Sequence, residues 1–360
     1  MELHIDRIAT LLEDGFRTAG FVGLSLIGNT MRTTTTPKHE MLNRREVLLA
    51  LASLPLLPVS QVAHAQRPAV RVRTLNHIHL NVSDLQRSLR FYQELFGLRL
   101  QGNQGVEIDW AEGVIPILGI GDGTQFISFS ERKEVGPEGR IDHFGFGVEF
   151  FDADQIVADL LSHGIRSDIR IRRDSDPPVP ELKFNDPDGV IVQIQDISYC
   201  GGSGTLGNQC SSATPPPLPP IPVRTLNHIH LPVSNIQESL SFYQGVLGME
   251  VQAEQGIESD WTTPIIFMLG IGGGPAFVSF SGGSQTGTID HFCFGMDHFN
   301  AEQVAQVLAE HGLEPNIRIR RDSDPAVPEL KFNDPDGIIV QIQDSSYCGG
   351  SGALGNVCDR

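Results

Sequence analysis

Apolar and polar residues alternate through residues 72–80, shift to a period near 3.6 as far as Phe96, and then return to alternation. Alternation predicts a strand with one buried face, and the longer period predicts a helix with one buried stripe. Ser83, with Gln86 three residues on, has the spacing of a helix cap, and Gly97 offers a stop. Leu85, Leu89, Tyr92 and Leu95 would then form the buried face. Strand-like runs follow near residues 98–104, 113–120 and 125–130. The order then starts again with a strand at 141–149 and a helix from Asp152, with Gln155 at its cap, that ends before Gly164. Strands near 166–172, 181–185 and 190–195 complete a second βαβββ unit.

This whole passage is written twice. RTLNHIHL opens at Arg73 and again at Arg224, IDHF recurs, and KFNDPDG recurs ahead of VIVQIQD or IIVQIQD. In the second copy Ser234 with Gln237 and Asn300 with Gln303 mark the caps, and Gly312 marks a stop. A long repeat signals a duplicated structural unit. The expected fold class is α+β, with tandem domains at 72–200 and 223–348 and Cys/Gly loops at 201–210 and 349–360. Prolines in SSATPPPLPPIP, residues 211–222, favour an extended spacer between the copies, so the linker spans 201–222. With 360 residues, 40% of them hydrophobic, the chain can bury two ordinary cores.

The formal net charge is −18, and residues 1–65 are electrically balanced, so the surplus lies in the repeats. An acidic surface repels phosphate backbones, which excludes nucleic acid as the expected partner. Near the N-terminus, Arg44 and Arg45 precede an apolar stretch and a small-residue Ala63-His64-Ala65 site. This resembles a twin-arginine export signal, implying a periplasmic or secreted protein without a membrane anchor in its mature form. Residues 1–65 therefore stand outside the fold. Cys200 with Cys210 and Cys348 with Cys358 bracket two glycine-rich loops, and two local disulfides are expected, with Cys293 a buried thiol.

Whatever else drifts, both copies retain His77, His143 and Gln193, or His228, His291 and Gln341. The segments LNHIHLNVSDLQRSLRFYQELFGL, IDHFGFGV and FNDPDGVIVQIQ resemble the vicinal oxygen chelate superfamily. That group includes glyoxalases, extradiol dioxygenases, fosfomycin-resistance enzymes and bleomycin-binding proteins. The resemblance covers 72–196 and 223–344 and implies paired βαβββ modules whose sheets curl around a metal-binding cleft. Carried over by position, the family's first-strand histidine falls on His77 and His228, and its fifth-strand histidine on His143 and His291. Its closing glutamate falls on Gln193 and Gln341, a departure, and a fourth-strand glutamate of glyoxalase-like members falls near Ser128 and Ser279, which are poor ligands. The resemblance implies a divalent metal (Fe, Mn or Zn) and a small oxygenated substrate, aromatic or carboxylate. It also implies dioxygenase-like or glyoxalase-like isomerase or lyase chemistry. The alternative it offers is a non-catalytic binding protein of the bleomycin-resistance type.

Two imidazoles and an amide oxygen can hold a divalent ion, yet an amide in place of a carboxylate removes one negative charge from the site. His79 and His230 lie two residues after the first histidines, on the same strand face, and are candidate general bases. Trp110 and Trp261, each after an aspartate, are candidates to stack on a planar substrate. Arg170, Arg172, Arg173, Arg318, Arg320 and Arg321 could guide an anion or form a salt-bridged strand edge. Asp-Pro-Asp-Gly is turn chemistry, giving Asp186 and Asp188 no catalytic role. No nucleophile elbow, phosphate loop or dinucleotide fingerprint occurs. Substrate, pairing of the modules and oligomeric state stay open.

Overall fold

A computed structural model describes residues 67–105, 114–132, 139–211, 218–256 and 266–358. The proposed export signal, Trp110 and Trp261 lie outside the described residues. In the first copy the elements are β1 (Val72–Val82), α1 (Leu85–Phe96), β2 (Arg99–Gln104), β3 (Ile115–Gly119), β4 (Phe126–Glu131), β5 (Arg140–Val148), α2 (Ala153–Ser162), β6 (Ser167–Arg172), β7 (Val179–Asn185) and β8 (Ile191–Asp196). The second copy repeats them as β9 (Val223–Val233), α3 (Ile236–Leu247), β10 (Glu250–Gln255), β11 (Ile266–Gly270), β12 (Phe277–Gly282), β13 (His291–Met296), α4 (Ala301–Glu310), β14 (Asn316–Arg320), β15 (Val327–Asn333) and β16 (Ile339–Asp344).

Each copy builds its own curled eight-stranded mixed sheet, ordered β2-β3-β4-β1-β5-β8-β7-β6 in the first and equivalently in the second. The two modules of one copy therefore pair with each other. Their first strands, β1 and β5, run antiparallel at the centre, with β4 and β8 parallel to them on either flank. Apolar residues on the convex faces and helices form one continuous core shared by both copies, in place of the two separate cores expected from length. Phe96 of α1 lies 5.1 Å from Phe294 of the other sheet, ring centre to ring centre, so helices of one copy fill space between the two. Among the described residues no helix is long and apolar enough to cross a membrane.

The first helix caps lie one residue later than the sequence spacing suggests. Asp84, in extended conformation, accepts from the Arg87 amide, and Asn235 does the same for Gln237 and Glu238. Ser83 is drawn elsewhere: its amide and hydroxyl both donate to Asp336 of the other copy, at 2.8 and 2.6 Å. Asp336 also receives Ser88 Oγ at 2.7 Å and Arg87 Nη2 at 2.7 Å, while Tyr92 Oη donates to Asp334 at 2.8 Å. The reciprocal contact has Tyr243 Oη donating to Asp186 at 3.0 Å and the Ser234 amide to Asp188 at 3.0 Å. The Asp-Pro-Asp-Gly turns thus do more than bend the chain. Asp186 closes its own turn through the amides of Asp188 and Val190 and also anchors the opposite helix. Asp152 and Asn300 cap α2 and α4 as expected, and Gly97 ends α1 at φ 69°, a left-handed position that glycine takes without strain.

The Cys200–Cys210 and Cys348–Cys358 disulfides close both glycine-rich loops, and Cys293 is a buried free thiol.

Candidate functional site

Side chains opposite one another in a sheet share a face, and the register of the first sheet gathers a polar row. His77 on β1 stands beside Gly145 on β5, Gly145 beside Gln193 on β8, and Gln193 beside Lys183 on β7. One step along, His79 pairs with His143. These side chains line a concave cavity of about 230 Å³, with Arg132, Arg170, Glu181 and Tyr199 around them. The second sheet repeats the row as His228, Cys293, Gln341 and Lys331, pairs His230 with His291, and leaves a cavity of about 190 Å³. At Gly145 an added Cβ would lie 2.1 Å from His77 Cε1, so the ring occupies the space of the missing side chain.

The imidazoles are held on several sides. His77 stacks on Phe126 at 4.6 Å between ring centres, and His79 stacks on His143 at 4.9 Å. The counterparts in the second half stack at 4.3 and 5.0 Å. Hydrogen bonds fix the rings further: His77 Nδ1 meets Asn76 Oδ1 at 2.8 Å, His143 Nδ1 meets Asp142 Oδ1 at 3.0 Å, and His79 Nδ1 meets Ser128 Oγ at 2.8 Å. Because a carboxylate only accepts, His143 donates through Nδ1 and keeps the lone pair on Nε2. Lys183 Nζ donates to that nitrogen at 3.2 Å. In the second half His291 Nδ1 lies 2.6 Å from Asp290 Oδ2, and Lys331 Nζ lies 3.3 Å from that same Nδ1 rather than from Nε2. Serines at the fourth-strand position hold the neighbouring imidazole: Ser279 and Ser281 each lie 2.9 Å from a nitrogen of His230.

Burial disfavours charge on all six histidines, and the nearby cations add to it. His143 and His230 are carried down to about 4, and His77, His79, His228 and His291 also fall well below the ordinary value. Each cleft therefore offers neutral imidazoles at neutral pH. Burial lowers Lys183 and Lys331 too, against the raising influence of Glu181 and Glu329.

The structure thus brings together all of His77, His79, His143 and Gln193, and all of their counterparts in the second half. In the first half Nδ1 of His77 and of His143 is taken by Asn76 and Asp142, which leaves Nε2 as the nitrogen a divalent ion could use. The rest of the set does not fit one. The position that supplies a carboxylate in related sites carries a neutral amide, and a half-buried ammonium stands within hydrogen-bond distance of an imidazole of the set, at Nε2 of His143 and at Nδ1 of His291. No group of three or more His, Cys, Asp or Glu side chains is placed to hold a metal among the described residues. The cleft's carboxylates, Glu181 and Asp142, are engaged by Tyr199 and by Asn81 and His143, and a dication here would meet an ammonium, so the divalent metal implied by the sequence resemblance is not carried over to this donor set.

Two readings of the arginines also change. Arg172 and Arg320 are 2% and 1% exposed and guide nothing from solvent. Arg172 reaches under the disulfide loop to the carbonyls of Gly201 and Gly202, and its Nε lies 3.2 Å from Asp174. Sequence reasoning missed Lys183 with Glu181, and Lys331 with Glu329. Their signal was present: ELKFNDPDG recurs intact, and alternation puts its Glu and Lys on one face, opposite the retained glutamine.

Comparison with known proteins follows the same lines. The family model described as Glyoxalase/Bleomycin resistance protein/Dioxygenase superfamily matches residues 74–194 and 225–342. Glyoxalase I of Saccharomyces cerevisiae is 26% identical over 226 residues, which is 55% of this chain and 63% of that protein, so the chain spans less than two thirds of its length. Glutathione transferase FosA of Serratia marcescens is 31% identical over 125 residues, 34% of this chain and 80% of that one. Among solved structures, the 2,3-dioxygenase LapB from Pseudomonas sp. KL28 aligns at TM-score 0.56 with 18% identity, covering 80% of this chain and all (100%) of that chain. The Mn(II)-bound glyoxalase from Novosphingobium aromaticivorans aligns at 0.54 with 17% identity, covering 76% and 82%.

Proposed function

Since the chain belongs to the glyoxalase/bleomycin resistance protein/dioxygenase superfamily, we propose that it is an exported enzyme with two equivalent clefts, each moving a proton on a small oxygenated molecule in the manner of a glyoxalase-like isomerase or lyase. One observation carries this reading: in each half a buried neutral imidazole is oriented by an aspartate and faces a cavity, His143 with Asp142 and His291 with Asp290. An aspartate that fixes the tautomer leaves Nε2 as the basic atom, the arrangement that general base catalysis requires. His79 and His230, stacked on these rings, stay candidates to pass the proton onward. The dioxygenase-like variant loses ground because such iron sites take two histidines and a carboxylate, and Gln193 and Gln341 supply an amide. Two closed cysteine brackets support export to an oxidising compartment.

The second reading is a binding protein without turnover, favoured by the amide at the position of the family's carboxylate. One experiment separates the two. The chain is expressed with its own N-terminal region, recovered from the periplasmic fraction, and incubated in D2O with hydroxyacetone and with pyruvate. Proton exchange at carbon is followed by NMR. The enzyme reading expects exchange above the buffer rate that falls at least about a hundredfold in the His143→Ala, His291→Ala variant. Ligand binding with no exchange in the parent protein leaves only the binder, and recovery solely from the cytosol contradicts export.

A further inference from the structure

Each cleft holds a half-buried cation with no carboxylate of its own. Lys183 donates to His143 at 3.2 Å, and no described carboxylate forms an ion pair with it. The two acids nearby are already served. Glu181 accepts from Tyr199 Oη at 3.0 Å and lies 4.0 Å from Arg172 Nε, while Asp142 accepts from Asn81 at 2.8 Å and Arg140 at 3.2 Å and holds His143. In the second half Lys331 lies 3.3 Å from His291, and Glu329 accepts from Tyr347 at 3.0 Å. An ammonium has three donors, and one goes to the imidazole. The others face the open cleft, where an anionic oxygen can take a charge-assisted hydrogen bond from them. Both halves keep a lysine at this place, although Lys183 meets Nε2 of its histidine and Lys331 meets Nδ1. The cleft volume, near 230 Å³, suits a molecule of a few heavy atoms, given roughly 30 Å³ for each water it displaces.

We infer that Lys183 and Lys331 receive an anionic oxygen, so that the ligand of each cleft is a small carboxylate bound without any metal. The ammonium supplies the positive charge that a metal ion supplies in related clefts, and in turning to the ligand oxygen Lys183 releases His143 Nε2. This rests on the reading of the clefts as substrate sites, and its test is kept separate from turnover.

The probe is oxalate, titrated calorimetrically into full-length mature protein stripped of metal with EDTA and then freed of EDTA. The expected result is two sites per chain, weakened at least tenfold in the Lys183→Met, Lys331→Met variant and likewise in the Lys183→Gln, Lys331→Gln variant, with Lys183→Arg, Lys331→Arg weakened less. The glutamine pair keeps the test sharp if the methionine pair fails to fold. Oxalate binding that is absent from the parent protein, unchanged in both pairs, or seen only after Mn(II) is added would overturn the inference. Exchange of neutral hydroxyacetone that persists in such a case would leave the proposed enzyme standing, whereas loss of exchange as well would remove both.

Discussion

Urea denaturation at about pH 7.5 and about pH 4.5 is expected to show a folded state that loses several kcal/mol on acidification. The cause is the set of neutral histidines in the clefts. A histidine whose folded pKa is depressed adds stability that is fully present above its unfolded value and lost as pH falls toward the folded one. For His143 and His230, carried from 6.5 to about 4, that loss is about 3 kcal/mol each across the window from pH 6.5 to 4. The other four cleft histidines shift in the same direction. Asp334 works the other way. Burial raises it to about 6, so it destabilises the fold above that pH and withdraws its penalty, about 3 kcal/mol, as pH falls toward 4. Burial raises Asp186 in the same direction as Asp334, and six histidines outweigh the two aspartates. Equal stability at the two pH values would show that these imidazoles are charged or solvated in the folded protein.

Arg172→Met is expected to destabilise the fold by about 3–5 kcal/mol, read from the shift of the urea midpoint at unchanged slope. The side chain is 2% exposed and binds two loop carbonyls, with Asp174 and Glu181 against its Nε. Methionine would fill much of the volume and leave the buried acid and carbonyls without their cation. Arg320→Met should cost about as much, because Arg320 binds Gly349 and Gly350 and lies 2.8 Å from Asp322. A loss below about 1 kcal/mol in both variants would mean that water replaces the guanidinium and that the disulfide loops do not depend on it.

Much of this architecture was legible because it follows from local period. Alternation and caps located the modules, and the repeat located the halves. The rows of His77, Gln193 and their counterparts were legible too, because strands carrying them recur intact. What stayed hidden depends on long-range pairing. Ser83 has the right spacing for a cap, but its partner Asp336 lies 253 positions away, and a capping rule cannot see that contact. Lys183 sits between apolar Leu182 and Phe184 on an alternating strand, where a lysine reads as solvent-facing. Only the register of β7 against β8, which sets Lys183 beside Gln193, turns it into the cleft. Arg172 and Arg320 do form the ion pairs that their neighbouring aspartates suggest, but the burial of both under the disulfide loops depends on contacts about thirty residues away.

Each half lines one cleft with imidazoles, an amide and an ammonium, a set that does not suit a divalent ion. Mn(II) titrated into metal-stripped protein and followed by electron paramagnetic resonance tests it most directly. The free Mn(II) signal is expected to grow from the first addition, unchanged by the protein, and to be quenched only in a variant carrying Gln193→Glu, Gln341→Glu, Lys183→Met and Lys331→Met. Quenching by two equivalents per chain of the parent protein would contradict it.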